Sequence, residues 1–122
     1  MESVTLGDGA CIGLTGFEHQ RENVRRASNL LKAMCNEHRL LILCYLTQGE
    51  QPSGVIGQFL GASQSATSQH LSRLRRDGLV RTRRQSQTIF YSLCGEEAAT
   101  VLKTLYSLYC DGDQGRELLN PR

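Results

Sequence analysis

Two groups of side chains in this chain can do chemistry: a run of short polar residues and arginines, and a set of five cysteines. From Ser63 to Tyr91 the sequence reads SQSATSQHLSRLRRDGLVRTRRQSQTIFY. Ser65, Ser68, Gln69, Ser72 and Arg76 recur at spacings of three and four, so on a helix they share one face. Short polar side chains on such a face can reach base edges, with glutamine able to bind adenine through two hydrogen bonds. Arginines grip phosphates and fix position rather than sequence. Arg73 and Arg76 near the helix end, and Arg83 and Arg84 beyond it, fit that second task. A lone helix histidine such as His70 reads as a structural residue or a phosphate contact, not as a metal ligand.

The cysteines are odd in number and include no C-x-x-C, which argues against a disulfide framework or a zinc knuckle. The first sixteen residues lack the basic and apolar regions of a secretory signal, and no apolar run approaches the ~20 residues of a membrane span. The expectation is a cytoplasmic protein whose cysteines rest as thiols.

At 122 residues the chain holds one modest core, which a dimer interface would support. The net charge of +2 conceals an uneven distribution. Six arginines against one aspartate between Arg73 and Arg84 give that segment +5, while the segments before and after it are slightly acidic. One basic patch on an acidic body suits a polyanion met by one face.

The elements that must position these residues follow from periodicity. Residues 1–16 carry four glycines and little pattern, and are expected to form a flexible tail. Val24, Ala27, Leu30, Leu31 and Met34 mark a first helix from about Phe17 to Met34. Asn36 is a suitable N-cap for a second helix, from Glu37 to about Thr47. A third helix starts at Pro52-Ser53, Gly61-Ala62 supplies a tight turn, and Ser63 caps a fourth that ends at Gly78. Thr67, Leu71 and Leu74 form its core face. Leu79–Arg83 and Gln87–Leu93 read as strands joined by Arg84-Gln85-Ser86. The last helix, Glu96 to Tyr109, has Ala99, Leu102, Leu105, Tyr106 and Tyr109 as its stripe, and residues 111–122 form a polar tail.

The expected fold is mainly α with a small β-wing, a winged helix-turn-helix in the order α-α-α-α-β-β-α spanning residues 17–110. Apolar stripes on the first and last helices exceed what one small core needs, which points to a homodimer formed through them. A dimer suits double-stranded operator DNA with an inverted repeat, whose half-sites lie about one turn (~34–36 Å) apart.

NEHRLLIL (Asn36 to Leu43), followed by SQSATSQHLSRLRRDGLVRTRR and TIFYSL, resembles the ArsR/SmtB family of dimeric winged-helix repressors over about two-thirds of the chain. Two positions depart from the family pattern. Cys35 replaces an alanine, and Thr67 stands where an apolar residue is usual. The metal-sensing patterns of the family, a cysteine-bearing third helix or paired acidic and histidine ligands on the last, are missing, so no metal site or cofactor is expected. RLLILCYL and LYSLYC instead resemble the BigR/SqrR/HlyU subgroup, whose members use a two-cysteine switch at these places.

The resemblance implies that Cys44 and Cys110 sense reactive sulfur species (persulfides) or oxidants by forming a disulfide or polysulfide bridge. The bridge releases operator DNA and derepresses sulfide-oxidation or detoxification genes. The two cysteines are 66 residues apart, so packing of the second helix against the last must join them, and a direct disulfide needs Cα atoms roughly 4.4–6.8 Å apart. Cys11 and Cys35 are possible auxiliary thiols, and Cys94 reads as structural. The alternatives are an arsenite or thiophilic-metal repressor using Cys35, Cys44 and Cys110, a ligand-free architectural DNA-binding protein, and a thiol-dependent enzyme. The last is disfavoured because no nucleophile elbow or phosphate loop is present.

Overall fold

A computed structural model describes residues 4–6, 10–12 and 17–110. The described residues fall into two compact units that meet in sequence at Lys32 and Ala33. In the first, β1 (Val4–Leu6) pairs antiparallel with β2 (Ala10–Ile12), placing Thr5 opposite Cys11. Local pattern foretold no strand in this glycine-rich segment. α1 (Phe17–Met34) follows, with the bounds the periodicity predicts. Its apolar stripe is only partly covered: Met34 is buried, whereas Val24 and Leu31, seven residues apart, are each 57% exposed. The C-terminal tail expected at 111–122 lies outside the described residues.

The second unit holds the helix-turn-helix. Asn36 caps α2 (Glu37–Leu46) as expected, its side-chain oxygen accepting from the Arg39 amide at 3.1 Å. Ile42, Leu43 and Leu46 are buried, and Tyr45 stacks on Phe59 of α3 (Ser53–Leu60) with ring centroids 4.2 Å apart. The turn to α4 (Gln64–Arg76) relies on Gly61, whose φ of +67° ends α3 in the left-handed region. Ser63 then caps α4 by accepting from the Ala66 amide at 3.0 Å. Thr67, Leu71 and Leu74 turn inward at i, i+4 and i+7. α5 (Glu96–Tyr109) buries Ala98 and Leu102. Its stripe is rotated slightly from expectation, because Ala98 rather than Ala99 faces inward and Tyr109 is 80% exposed.

The wing is larger than the two strands read from sequence. β4 (Val80–Gln85) and β5 (Thr88–Leu93) pair antiparallel, and a two-residue strand β3 (Gln51–Pro52) adds to the far side of β5, giving the order β3-β5-β4. Proline fits there because β3 is an edge. The ladder closes at Gln85 opposite Thr88, so the connection is Ser86-Gln87, with Ser86 at φ +57° as a two-residue hairpin requires. Arg84 and Gln85, expected in the turn, therefore belong to β4.

Candidate nucleic-acid interface and thiol pair

The inward row of α4 fixes what its outer row can do. With Thr67, Leu71 and Leu74 anchored, Ser65, Ser68, Gln69, Ser72 and Arg76 are exposed together. Ser68, Gln69, Ser72, Arg73 and Arg76 line one open groove of about 440 Å³, and its remaining lining residue is Arg39 of α2. Ser65 lies on the first turn of α4, outside that groove.

Arg39 was not singled out by sequence reasoning. It sits in an otherwise apolar run, and its Nε donates to the Ala33 carbonyl at 2.7 Å, which holds its stem at the start of α2. The available signal was its isolation, since no other lysine or arginine occurs between Lys32 and Arg73.

The arginines differ in how they are held. Arg73 Nε pairs with Asp77 at 2.7 Å, one turn further along α4. Arg84 Nε donates to the Ser86 carbonyl at 3.3 Å across the wing turn. Arg83 pairs with Glu50 through two nitrogens, at 2.8 and 3.0 Å. His70, on the flank of α4, meets His38 of α2 edge-to-face at 5.3 Å. Partial burial, then His38 and Arg39, lower its pKa below the ordinary histidine value.

Cys110, at the end of α5, comes close enough to Cys44 of α2 to act on its thiol. Burial pushes the Cys44 thiol up, and the Cys110 sulfur adds to the push because two thiolates repel. Both are half-buried free thiols, as is Cys94, whereas Cys35 is exposed. The Cys94 amide donates to the Leu79 carbonyl at 2.9 Å, tying the end of β5 to the start of the wing. The side chain of Cys11 lies outside the described residues. Among the described residues, no three His, Cys, Asp or Glu side chains gather closely enough to hold a metal, so Cys35, Cys44 and Cys110 do not form a three-thiol site. No described helix is long and apolar enough to cross a membrane.

A capped helix-turn-helix, a basic groove on its second helix and an arginine-bearing β-wing define a winged helix-turn-helix regulator that binds DNA. Residues 36–82 match the family described as "Bacterial regulatory protein, arsR family". The transcriptional activator HlyU of Vibrio cholerae serotype O1 is 47% identical over 98 residues, covering 80% of this chain and 91% of that protein. The solved structure of reduced HlyU superimposes with a TM-score of 0.74 over 78% of this chain and all of that one. The biofilm growth-associated repressor of Xylella fastidiosa is 37% identical, covering 76% of this chain and 82% of its own length. A homodimeric winged helix-turn-helix domain from Mycobacterium bovis, 26% identical, matches 77% of this chain and 87% of its own with a TM-score of 0.68. The chain belongs to the arsR family of bacterial transcriptional regulators.

Proposed function

We propose that this protein is a cytoplasmic, homodimeric repressor that releases an inverted-repeat operator when Cys44 and Cys110 become bridged by reactive sulfur species or oxidants. The carrying observation is that Cys110 lies near enough to raise the pKa of Cys44. The same helix that carries Cys44 also supplies Arg39 to the groove on α4. A bond between the thiols therefore acts on an element that contributes to the reader. Release follows if the bridge favours an arrangement of α2 and α4 that DNA does not accept.

With a persulfide as oxidant, one thiolate takes the outer sulfur and expels the carrier as a thiolate. The second cysteine, as a thiolate, then attacks the Sγ of the first, expelling the outer sulfur as hydrosulfide and closing a disulfide. Both cysteines are oxidised and the persulfide is reduced to thiol and sulfide. Cys11 and Cys35 serve at most as auxiliary thiols. The genes controlled are those that consume sulfide or detoxify its products.

On the DNA side, Ser65, Ser68, Gln69 and Ser72 read bases, while Arg76 and Arg84 hold phosphates together with Arg73, whose pair with Asp77 engages only its Nε. The dimer covers the apolar faces of the outer helices, where Val24 and Leu31 on α1 and Leu108 (67% exposed) and Tyr109 on α5 are otherwise open to water. The homodimeric Mycobacterium bovis relative supports that state, and the relative named as a repressor supports repression as the output.

Operator binding by wild type, Cys44→Ser and Cys110→Ser, measured with and without glutathione persulfide, tests the switch. Each serine variant is expected to bind operator and to ignore persulfide. Peptide mass spectrometry that finds no Cys44–Cys110 link in the released protein would overturn the mechanism.

A further inference from the structure

Arg83 belongs to the basic cluster, yet its guanidinium is already occupied. Nη2 and Nε lie 2.8 and 3.0 Å from the two carboxylate oxygens of Glu50, Nη1 donates to Gln85 at 2.9 Å, and the guanidinium carbon sits 4.6 Å from the centre of the Phe90 ring. Sheet order explains the arrangement. Arg83 stands opposite Phe90 in the β4–β5 ladder, and Phe90 stands opposite Pro52 of β3. Glu50 lies two residues before Pro52, beyond β5 from Arg83. To reach it, the arginine side chain must cross β5, and it does so over the Phe90 ring.

An exposed ion pair ordinarily contributes little, because two long side chains must be held in one geometry. Here the geometry is held by other means. The aromatic face attracts the planar cation, Gln85 takes a third nitrogen, and both carboxylate oxygens are engaged. Accordingly, the hydrogen bond from Arg83 leads the effects that hold the Glu50 carboxyl below the usual carboxylate range.

An anion that accepts from a guanidinium through two oxygens is also what a DNA phosphate would be. We infer that Glu50 is an internal stand-in for phosphate that keeps Arg83 out of the backbone grip and limits how tightly the wing holds DNA regardless of sequence. The inference rests on the DNA-binding reading and adds a residue to it. An arginine already neutralised by a carboxylate displaces few counterions from DNA, so it adds little to the salt dependence of binding. Arg84, whose Nε donates only to a backbone carbonyl in this arrangement, retains its charge for a phosphate.

The test is binding of a random-sequence duplex across a salt series by wild type, Glu50→Gln, Arg83→Gln, the double variant and Arg84→Gln. Glu50→Gln is near-isosteric at an exposed position and keeps the fold. It is expected to bind more tightly at low salt and to steepen the log–log salt slope by about 0.9 for each DNA-bound protomer. Arg83→Gln leaves the wild-type slope, the double variant returns to it, and Arg84→Gln flattens it by about 0.9. An unchanged slope in Glu50→Gln overturns the inference. So does a flattened slope in Arg83→Gln, or a gain that persists in the double variant, since that gain would come only from removing a negative charge. Wild type that binds no duplex at any salt would instead sink the DNA-binding reading itself.

Discussion

The rings of His38 and His70 meet edge-to-face at 5.3 Å, joining α2 to the flank of the reading helix. Protonating either ring places a cation beside the other and near Arg39. Desolvation, His38 and Arg39 all lower the His70 pKa below its ordinary value. In the interval between the folded and ordinary values, the unfolded chain holds a proton that the folded chain does not. The stability linked to His70 is therefore complete above the ordinary histidine pKa of about 6.5 and is lost as pH falls through the folded value. Urea midpoints should drop between pH 7.5 and 5.5, and His70→Gln should reduce the drop. An identical drop in the variant would show that His70 is not responsible.

Arg39 and Gln69 line the same groove but should fail in different ways. Gln69→Ala is expected to cost about 1–3 kcal/mol on operator and almost nothing on random duplex, because only a base edge rewards its amide. Arg39→Gln should weaken both DNAs and flatten the salt slope by about 0.9 per protomer, with Arg39→Lys keeping most of the slope. Competition binding on the two duplexes separates the roles. Equal losses on both DNAs for Gln69→Ala would remove it from the base-reading set.

Thr67 is 3% exposed, and its hydroxyl oxygen has no hydrogen-bond partner. A buried hydroxyl without a partner costs about 1–3 kcal/mol. Valine has nearly the same shape, so Thr67→Val should raise stability by about 1 kcal/mol in a denaturant melt, with DNA affinity unchanged. A Cβ built on Gly57 comes 3.4 Å from that same oxygen, an ordinary van der Waals contact, so Gly57→Ala fits beside the hydroxyl but gives it no hydrogen-bond partner. Loss of stability in Thr67→Val would mean the hydroxyl has a partner, such as a bound water.

What local pattern could foretell and what it could not divides along physical lines. Asn36, Ser63 and Gly61 act within a few residues of themselves, and caps and turns of that range are legible one window at a time. The outer face of α4 was legible for the same reason. β3 was not, because two residues carry no period and proline argues against a strand unless the edge is known. The wing turn was misplaced by polarity alone: without Asn-Gly or Asp-Gly, nothing in the sequence marks Ser86 as the residue with positive φ. Arg39 and Glu50 join the site through tertiary contact. Glu50 meets Arg83 across 33 residues and an intervening strand, which no helical or strand spacing encodes.

Cys44 offers a reading of the thiol pair that does not depend on the inducer. Its pKa is raised first by burial and then by Cys110, so it is mostly protonated at neutral pH and a slow nucleophile. Its alkylation by iodoacetamide, followed peptide by peptide in the mass spectrometer, should have a pH midpoint above that of an ordinary thiol. Cys110→Ser removes the second cause and leaves the first, so the midpoint should fall part of the way and stop short of the ordinary value. Cys35→Ser, at an exposed thiol, should leave it unchanged. A midpoint indifferent to Cys110 would mean that the two sulfurs do not interact in solution, and the bridge between α2 and the end of α5 would lose its physical basis.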